Sequence, residues 1–376
     1  MEKSNGASVK VVLLSNNPVP FRIPVCQLMA NDPRIEFTAI FCARREPGRP
    51  SDVPELPFEH VILKENYRIR DDAYSVHNNP DVFGVLRRLQ PDVVINSGFQ
   101  PTNLYALLYC LRYGKRHVVT TDGTAESEAG INWKQKALRR FFFRFSQAFV
   151  GPNGGTRRLF ESYGIPSSLF FLSPLCIDNK RFQLSGVEKR YDLLFCGRLT
   201  EMKRPLFALD VAELLASELG REVSLLYVGA GPLEQEVRQR AATARNVDTT
   251  FSGFTLQADL PHRYNESRIF LFPTSYDVWG VVGNEACASG LPVIVTPHAG
   301  VVGEIVLDGV NGFVLDHDPR RWAAAARRLL EDTALYERFA ASSRQMVQDY
   351  TYQAAANGFI DAALHAAGRT SPPQSS

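Results

Sequence analysis

The sequence predicts an α/β protein of two domains, each organised on a largely parallel sheet, and three observations predict it. Short β-rich apolar runs alternate with helical stretches along the chain, the order expected when helices cover both faces of a parallel sheet. The 376 residues exceed what a single ordinary core organises. From Ser173 the alternation gives way to a polar stretch, SPLCIDNKRFQLSGVEKR, broken by Pro174 and Gly186, which reads as an interdomain linker. The expected domains are therefore 1–172 and 173–351, followed by a last helix over 352–368 and a disordered tail over 369–376.

Val9 to Leu14 is the first strand and empties into the polar loop Ser15-Asn16-Asn17-Pro18; the helix Phe21 to Ala30 follows. Phe37 to Cys42 is the second strand, and 43–72 shows no strong period and reads mostly as loop. Val82 to Leu89 is an apolar-periodic helix leading to the strand Val93 to Asn96, the turn Ser97-Gly98 and a helix over Leu104 to Arg112. His117 to Thr121 is a strand that delivers Asp122 to the same sheet edge as the first loop. Trp133 to Ser146 is helical, and Ala148 to Gly151 is a strand.

Past the linker, strands are expected at Tyr191 to Cys196, Arg221 to Val228, Thr249 to Ser252, Ile269 to Phe272, Val293 to Thr296 and Gly312 to Leu315. The helix Val281 to Ser289 is stopped by Gly290. Pro319 to Leu330, Leu335 to Gln348 and Tyr352 to Ala366 close the chain as helices.

Composition narrows the function classes. With 42 basic and 40 acidic residues the formal charge is +2, which argues against a polyanion-binding surface spread over the whole protein. Six cysteines lie scattered without a C-x-x-C pair and read as small buried hydrophobes of a reducing compartment. The first residues, MEKSNGAS, carry no apolar signal core, and no run reaches the roughly 18 apolar residues of a spanning helix. A cytoplasmic location is expected. No P-loop, G-x-S-x-G elbow or HExxH occurs, so kinase and hydrolase readings have no residues to rest on. The histidines show no metal-site spacing, and no metal or cofactor is expected.

Chemistry concentrates in the second half. In FLFPTSYDVWGVVGNEACASGLPVIV, from Phe270 to Val295, a strand is followed by a loop and a helix whose free amides point to the ligand edge of the sheet. Asp277 in the loop and Glu285, about one turn into the helix, frame that anion site with hydrogen-bond acceptors suited to sugar hydroxyls. Phe195-Cys196-Gly197-Arg198-Leu199 with Lys203 puts a glycine, a planar cation and a point cation in the loop after another strand, a set able to neutralise a diphosphate. Tyr227-Val228-Gly229-Ala230-Gly231-Pro232 begins like a dinucleotide fingerprint, but Glu234 stands where its third glycine belongs.

These stretches resemble the signature of the family 4 retaining glycosyltransferases. The resemblance rests on Pro273, Thr274, Asp277, Trp279, Gly280, Glu285, Ala286, Ala288, Gly290, Pro292 and Val293, on Gly197-Arg198-Leu199 with Lys203, and on Gly229-Ala230-Gly231-Pro232-Leu233. It continues through Gly300 to Phe313. It departs at Asp277, where the family usually carries the longer Glu. The resemblance implies the GT-B fold, two Rossmann-like domains facing a cleft, with the C-terminal helix crossing back to the first domain. It implies that a nucleoside-diphosphate sugar is the substrate and a hydroxyl compound, such as a sugar or lipid-linked sugar, the acceptor. Arg198 and Lys203 are then expected to hold the diphosphate together with the amides near Gly280, Val281 and Val282. Glu285 is expected to face the ribose and Asp277 the donor sugar, with Gly197, Gly229, Phe254 and Trp279 lining the donor site. Domain closure would exclude water.

On the acceptor side, Asn16 and Arg22 in and after the first loop, and Asp122 in the turn after the fourth strand, are candidates. The helix WKQKALRRFFFRFS, from Trp133 to Ser146, reads as phenylalanines packed on the sheet with solvated cations; the second reading is contact with an anionic membrane surface. The triplet Asp316-His317-Asp318 reads as a helix cap rather than a metal motif. No nucleic-acid partner is expected. A sugar-nucleotide epimerase of the same fold and a non-catalytic nucleotide-sugar binder are the alternatives.

Overall fold

The computed structural model describes residues 8–45, 55–71 and 74–369, and the chain divides into two compact units, Met1–Leu175 with Tyr352–Ser376, and Cys176–Thr351. In the first unit β1 (Val9–Ser15), β2 (Ile35–Phe41) and β3 (His60–Ile62) precede the hairpin β4 (Tyr67–Asp71) and β5 (Tyr74–His77); β6 (Val93–Ser97), β7 (Arg116–Thr120), β8 (Ala148–Gly151) and β9 (Phe170–Leu172) follow. Helices α1 (Ile23–Ala30), α2 (Val82–Leu89), α3 (Pro101–Tyr113), α4 (Trp133–Arg144) and α5 (Gly154–Ser162) lie between them. Seven strands form one sheet in the order β3-β2-β1-β6-β7-β8-β9, all pairs parallel.

The near-continuous apolar runs explain this sheet. In β1, Val11, Val12, Leu13 and Leu14 are all buried, as a strand covered on both faces requires. Val12, Leu14, Val85, Leu86, Ala106 and Tyr109 form one core cluster, and Leu107, Phe142, Phe143, Phe149 and Phe160 another. The segment 43–72, read from sequence mostly as loop, contributes β3 and β4 where it is described. Its strands are short: β3 has three residues and pairs only with β2, and β4 pairs antiparallel with β5. Such pieces are made strands by the partner that satisfies their backbone rather than by a pattern of their own.

The second unit contains α6 (Asn179–Phe182), β10 (Tyr191–Cys196), α7 (Pro205–Leu219), β11 (Val223–Val228), α8 (Glu234–Ala241), β12 (Val247–Phe251), α9 (Leu260–Asn265), β13 (Ser267–Phe272), α10 (Val281–Ala288), β14 (Val293–Val295), β15 (Gly312–Val314), α11 (Pro319–Glu331) and α12 (Thr333–Met346). Its six-stranded sheet runs β12-β11-β10-β13-β14-β15, parallel throughout. That is the doubly wound order, and the strand order reverses between β10 and β13. Asp318 caps α11 through the amide of Arg320 at 3.0 Å.

The last helix, α13 (Tyr352–Ala366), belongs to the first unit. It packs on α1, β7, β8 and β9, burying Phe359, Ile360 and Leu364. Gly358 allows the approach: a Cβ there would meet the Leu172 carbonyl oxygen at 2.1 Å. The expected tail lies outside the described residues beyond Arg369. All six cysteines are buried. Among the described residues no helix is long and apolar enough to cross a membrane.

Candidate donor and acceptor sites

In an open parallel sheet, ligands bind beyond the carboxyl ends of the strands where the order reverses. In the second unit that point lies between the loops leaving β10 and β13, and these are the loops that carry Lys203 and Asp277. The β10 loop runs through Gly197, Arg198 and the fully buried Leu199 into a single turn, Glu201–Lys203. It is fixed to the next loop by backbone bonds: the Leu199 amide donates to the Ala230 carbonyl, and the Leu233 amide to the Leu199 carbonyl. Gly229 and Gly231 permit this approach, since a Cβ at either would fall 2.1 or 2.4 Å from the carbonyl oxygen of Gly197 or Leu199. The expected donor-site glycines thus hold the loops together.

Lys203 Nζ donates to Asp277 Oδ2 at 2.5 Å. Its ammonium lies 5.8 Å from the centre of the Phe272 ring. Arg198 is exposed and has no ion-pair partner among the described residues. Gly280, at φ 98°, turns the β13 loop into α10; a side chain there would strike the Phe272 ring at 2.5 Å. No side chain caps α10. The amides of Val281 and Val282 therefore open the helix without an internal partner, at the end where the backbone dipoles favour an anion.

Two expected donor contacts, Trp279 and Glu285, are buried. Trp279 is 1 % exposed, donates Nε1 to Asn284 Oδ1 at 2.7 Å and stacks on Tyr350; its indole is a core side chain that anchors the loop. Glu285 was expected to face the crevice, yet it is 4 % exposed, with Oε2 accepting from the Tyr264 hydroxyl at 2.7 Å. Gln257 is a second side-chain hydrogen-bond partner, and burial pushes the carboxyl up to about 7 against both bonds. Tyr264 and Gln257 are partners of Glu285 that the sequence did not point to, because neither belongs to a local pattern around Glu285. Phe254 is exposed beside Gly253, whose carbonyl accepts the Gly229 amide.

The first unit repeats the logic. Its strand order reverses between β1 and β6, and there a cavity of about 160 Å³ is lined by Ser15, Asn16, Arg22, Ser97, Asp122 and Phe359 among others. All three acceptor-side candidates are thus brought together. Arg22 pairs with Asp122 at 3.7 Å and lies over the Phe359 ring, 5.2 Å from its centre. The cavity offers an amide, hydroxyls, a carboxylate and a cation, a set that fits a polyhydroxy compound.

Residues 177–346 match the family model described as Glycosyl transferases group 1, and residues 35–181 match that of Glycosyltransferase Family 4. Curated relatives include a D-inositol 3-phosphate glycosyltransferase of a Nocardioides species, 31 % identical over 198 residues, covering 48 % of this chain and 43 % of that protein. The protein of the same name from Salinispora arenicola is 29 % identical over 192 residues, covering 48 % and 42 %. The matches span less than half the length of these relatives. Among solved structures, Anabaena HepE in complex with UDP has a TM-score of 0.71 at 14 % identity, covering 94 % of this chain and 98 % of that one. The pneumococcal O-GlcNAc transferase GtfA, in complex with UDP and GlcNAc, has a TM-score of 0.69 at 12 % identity, covering 96 % and 99 %. These likenesses establish the fold.

Proposed function

Because the chain belongs to the glycosyltransferases of group 1 and family 4, we propose that it moves a sugar, with retention, from a nucleoside-diphosphate donor on the second unit to a hydroxyl acceptor on the first. The observation that carries this reading is the meeting, where the second sheet reverses order, of Lys203 on the β10 loop with Asp277 on the β13 loop that leads into the uncapped amino end of α10. Arg198, Lys203 and the amides of Gly280, Val281 and Val282 take the diphosphate, whose charge grows as the glycosidic bond breaks. Asp277 contacts the donor sugar. Glu285, held by the Tyr264 hydroxyl, accepts from the ribose. Asn16, Arg22 and Asp122 receive the acceptor. The leaving phosphate takes the acceptor proton on the face it vacates, so no protein nucleophile is assigned.

The solved structures that hold UDP support uridine diphosphate as the first nucleotide to try. A thermal-shift screen of uridine, guanosine, thymidine and adenosine diphosphates tests the donor site, since saturation at 100 times the dissociation constant adds about 2.7 kcal/mol. No shift with any of the four would remove the donor assignment. Proton NMR of the product then reads the anomeric configuration: an unchanged anomer is expected, an inverted one contradicts retention, and a free epimerised nucleotide sugar identifies an epimerase.

Glycan or glycoconjugate assembly in the cytoplasm is the setting proposed. A peripheral contact with an anionic membrane is part of the same proposal, supported by α4, where Trp133 and Phe141 are exposed among Lys134, Lys136, Arg140 and Arg144.

A further inference from the structure

Lys203 and Asp277 are 74 residues apart and meet because their loops are tied together beneath them. The Met202 carbonyl accepts both the Ser275 amide, at 2.7 Å, and the Thr274 hydroxyl, at 3.2 Å. Asp277 is itself held by its backbone: its amide donates to the His298 carbonyl and its carbonyl accepts the Gly300 amide. One carboxylate oxygen, Oδ1, accepts the Trp279 amide at 3.2 Å. The other is left for the ammonium at 2.5 Å, and the two side chains are only 18 % and 19 % exposed. A pair so fixed is screened less than a surface pair. The cation that the diphosphate needs is therefore already engaged by a carboxylate.

We infer that Asp277 is a positioning residue for Lys203: it holds the ammonium where the strand order reverses and competes with the diphosphate for it. This rests on the donor-phosphate reading above and gives Asp277 a second role beside contact with the sugar. The consequence falls on release. When the sugar departs, the terminal phosphate gains negative charge, and an uncontested lysine would retain the product; a competing carboxylate lowers its affinity and lets the site turn over.

The test uses inorganic pyrophosphate, which carries no base or sugar, titrated calorimetrically without divalent metal into the full chain. Asp277→Asn should bind it about fivefold to tenfold more tightly than the wild type, in line with removal of one competing charge. Asp277→Glu, which keeps the charge, should stay near the wild type. Asp277→Asn added to Lys203→Gln should change nothing further. Pyrophosphate that binds the wild type and Asp277→Asn equally, or the variant more weakly, overturns this inference and leaves the donor-phosphate reading intact. Absence of binding to both overturns the two together, whereas binding to the variant alone supports the competition. Should Asp277→Asn fail to fold, the wild type still decides: an NMR correlation from the Lys203 ammonium to the Asp277 carboxylate carbon is expected without pyrophosphate and lost on saturation. Its persistence overturns the proposal.

Discussion

A leaving diphosphate gathers negative charge as the sugar departs, so a cation must stand in place before the bond breaks. Lys203 is that cation in the proposed site, and removing one such stabiliser costs roughly a hundred- to a thousandfold in turnover. Lys203→Ala should show this loss in an assay with excess chelator, while Lys180→Ala, a change at an exposed lysine of α6, should not. Equal activity of the two, or collapse of the wild type on chelation, would place the charge elsewhere. Glu285 makes a different prediction. Burial keeps its carboxyl protonated up to about 7 in the folded protein, whereas in the unfolded chain it ionises from ~4.3. Between those values the folded state binds more protons, so this group's contribution to stability is lost as pH rises through the window. Denaturant titrations should show the wild type falling behind Glu285→Gln from pH ~4.3 to about 7, the gap then levelling. A gap independent of pH would mean that water reaches the carboxylate.

At the scale of elements, α4 shows how a sequence can carry two readings at once. Phe142 and Phe143 are buried in the sheet cluster and Arg139 pairs with Glu128 at 2.5 Å, so that part of the helix is packing. Trp133, 72 % exposed, and Phe141 stand among cations on the outer face, as an interfacial helix would present them. Vesicles containing anionic lipid should therefore carry the protein in flotation, and charge reversal at Lys136, Arg140 and Arg144 should abolish it; binding indifferent to those charges would return the helix to packing alone. Elements with an apolar run or helical period of their own, such as β8, β10, α2 and α13, were legible to the residue, because that pattern lies within the stretch itself. β3, β4 and β5 were not, since each is a strand only by virtue of its neighbour. The site divides in the same way. Spacing located the loops holding Arg198, Lys203 and Asp277, but the burial of Trp279 against Tyr350 and of Glu285 against Tyr264 depends on residues 71 and 21 positions away, which no local pattern connects.

The molecule as a whole uses one device twice: each unit is a parallel sheet whose strand order reverses once, and each gathers its candidate ligand residues at that reversal. The units are not made of consecutive halves of the chain. α13 leaves the second unit's sequence behind and completes the first, covering β7, β8 and β9 and supplying Phe359 to the wall of the acceptor cavity. Phe359, Ile360 and Leu364 are buried there, and each such side chain contributes about 1.5–3 kcal/mol. Against a domain stability of roughly 5–15 kcal/mol, losing all three with the surrounding alanines is a loss the first unit cannot absorb. The second unit has a core of its own, formed by β10, β11 and β13 with α7, α11 and α12. Truncation after Thr351 should therefore unfold the first unit selectively. Hydrogen exchange read by mass spectrometry should show protection lost across β1 and β6–β9 but retained across β10–β15, and pyrophosphate binding at Lys203 should survive. If β6–β9 stay protected in the truncated chain, α13 is an accessory to that fold; if both sheets lose protection together, the two units depend on each other for stability and cannot be treated as separate cores.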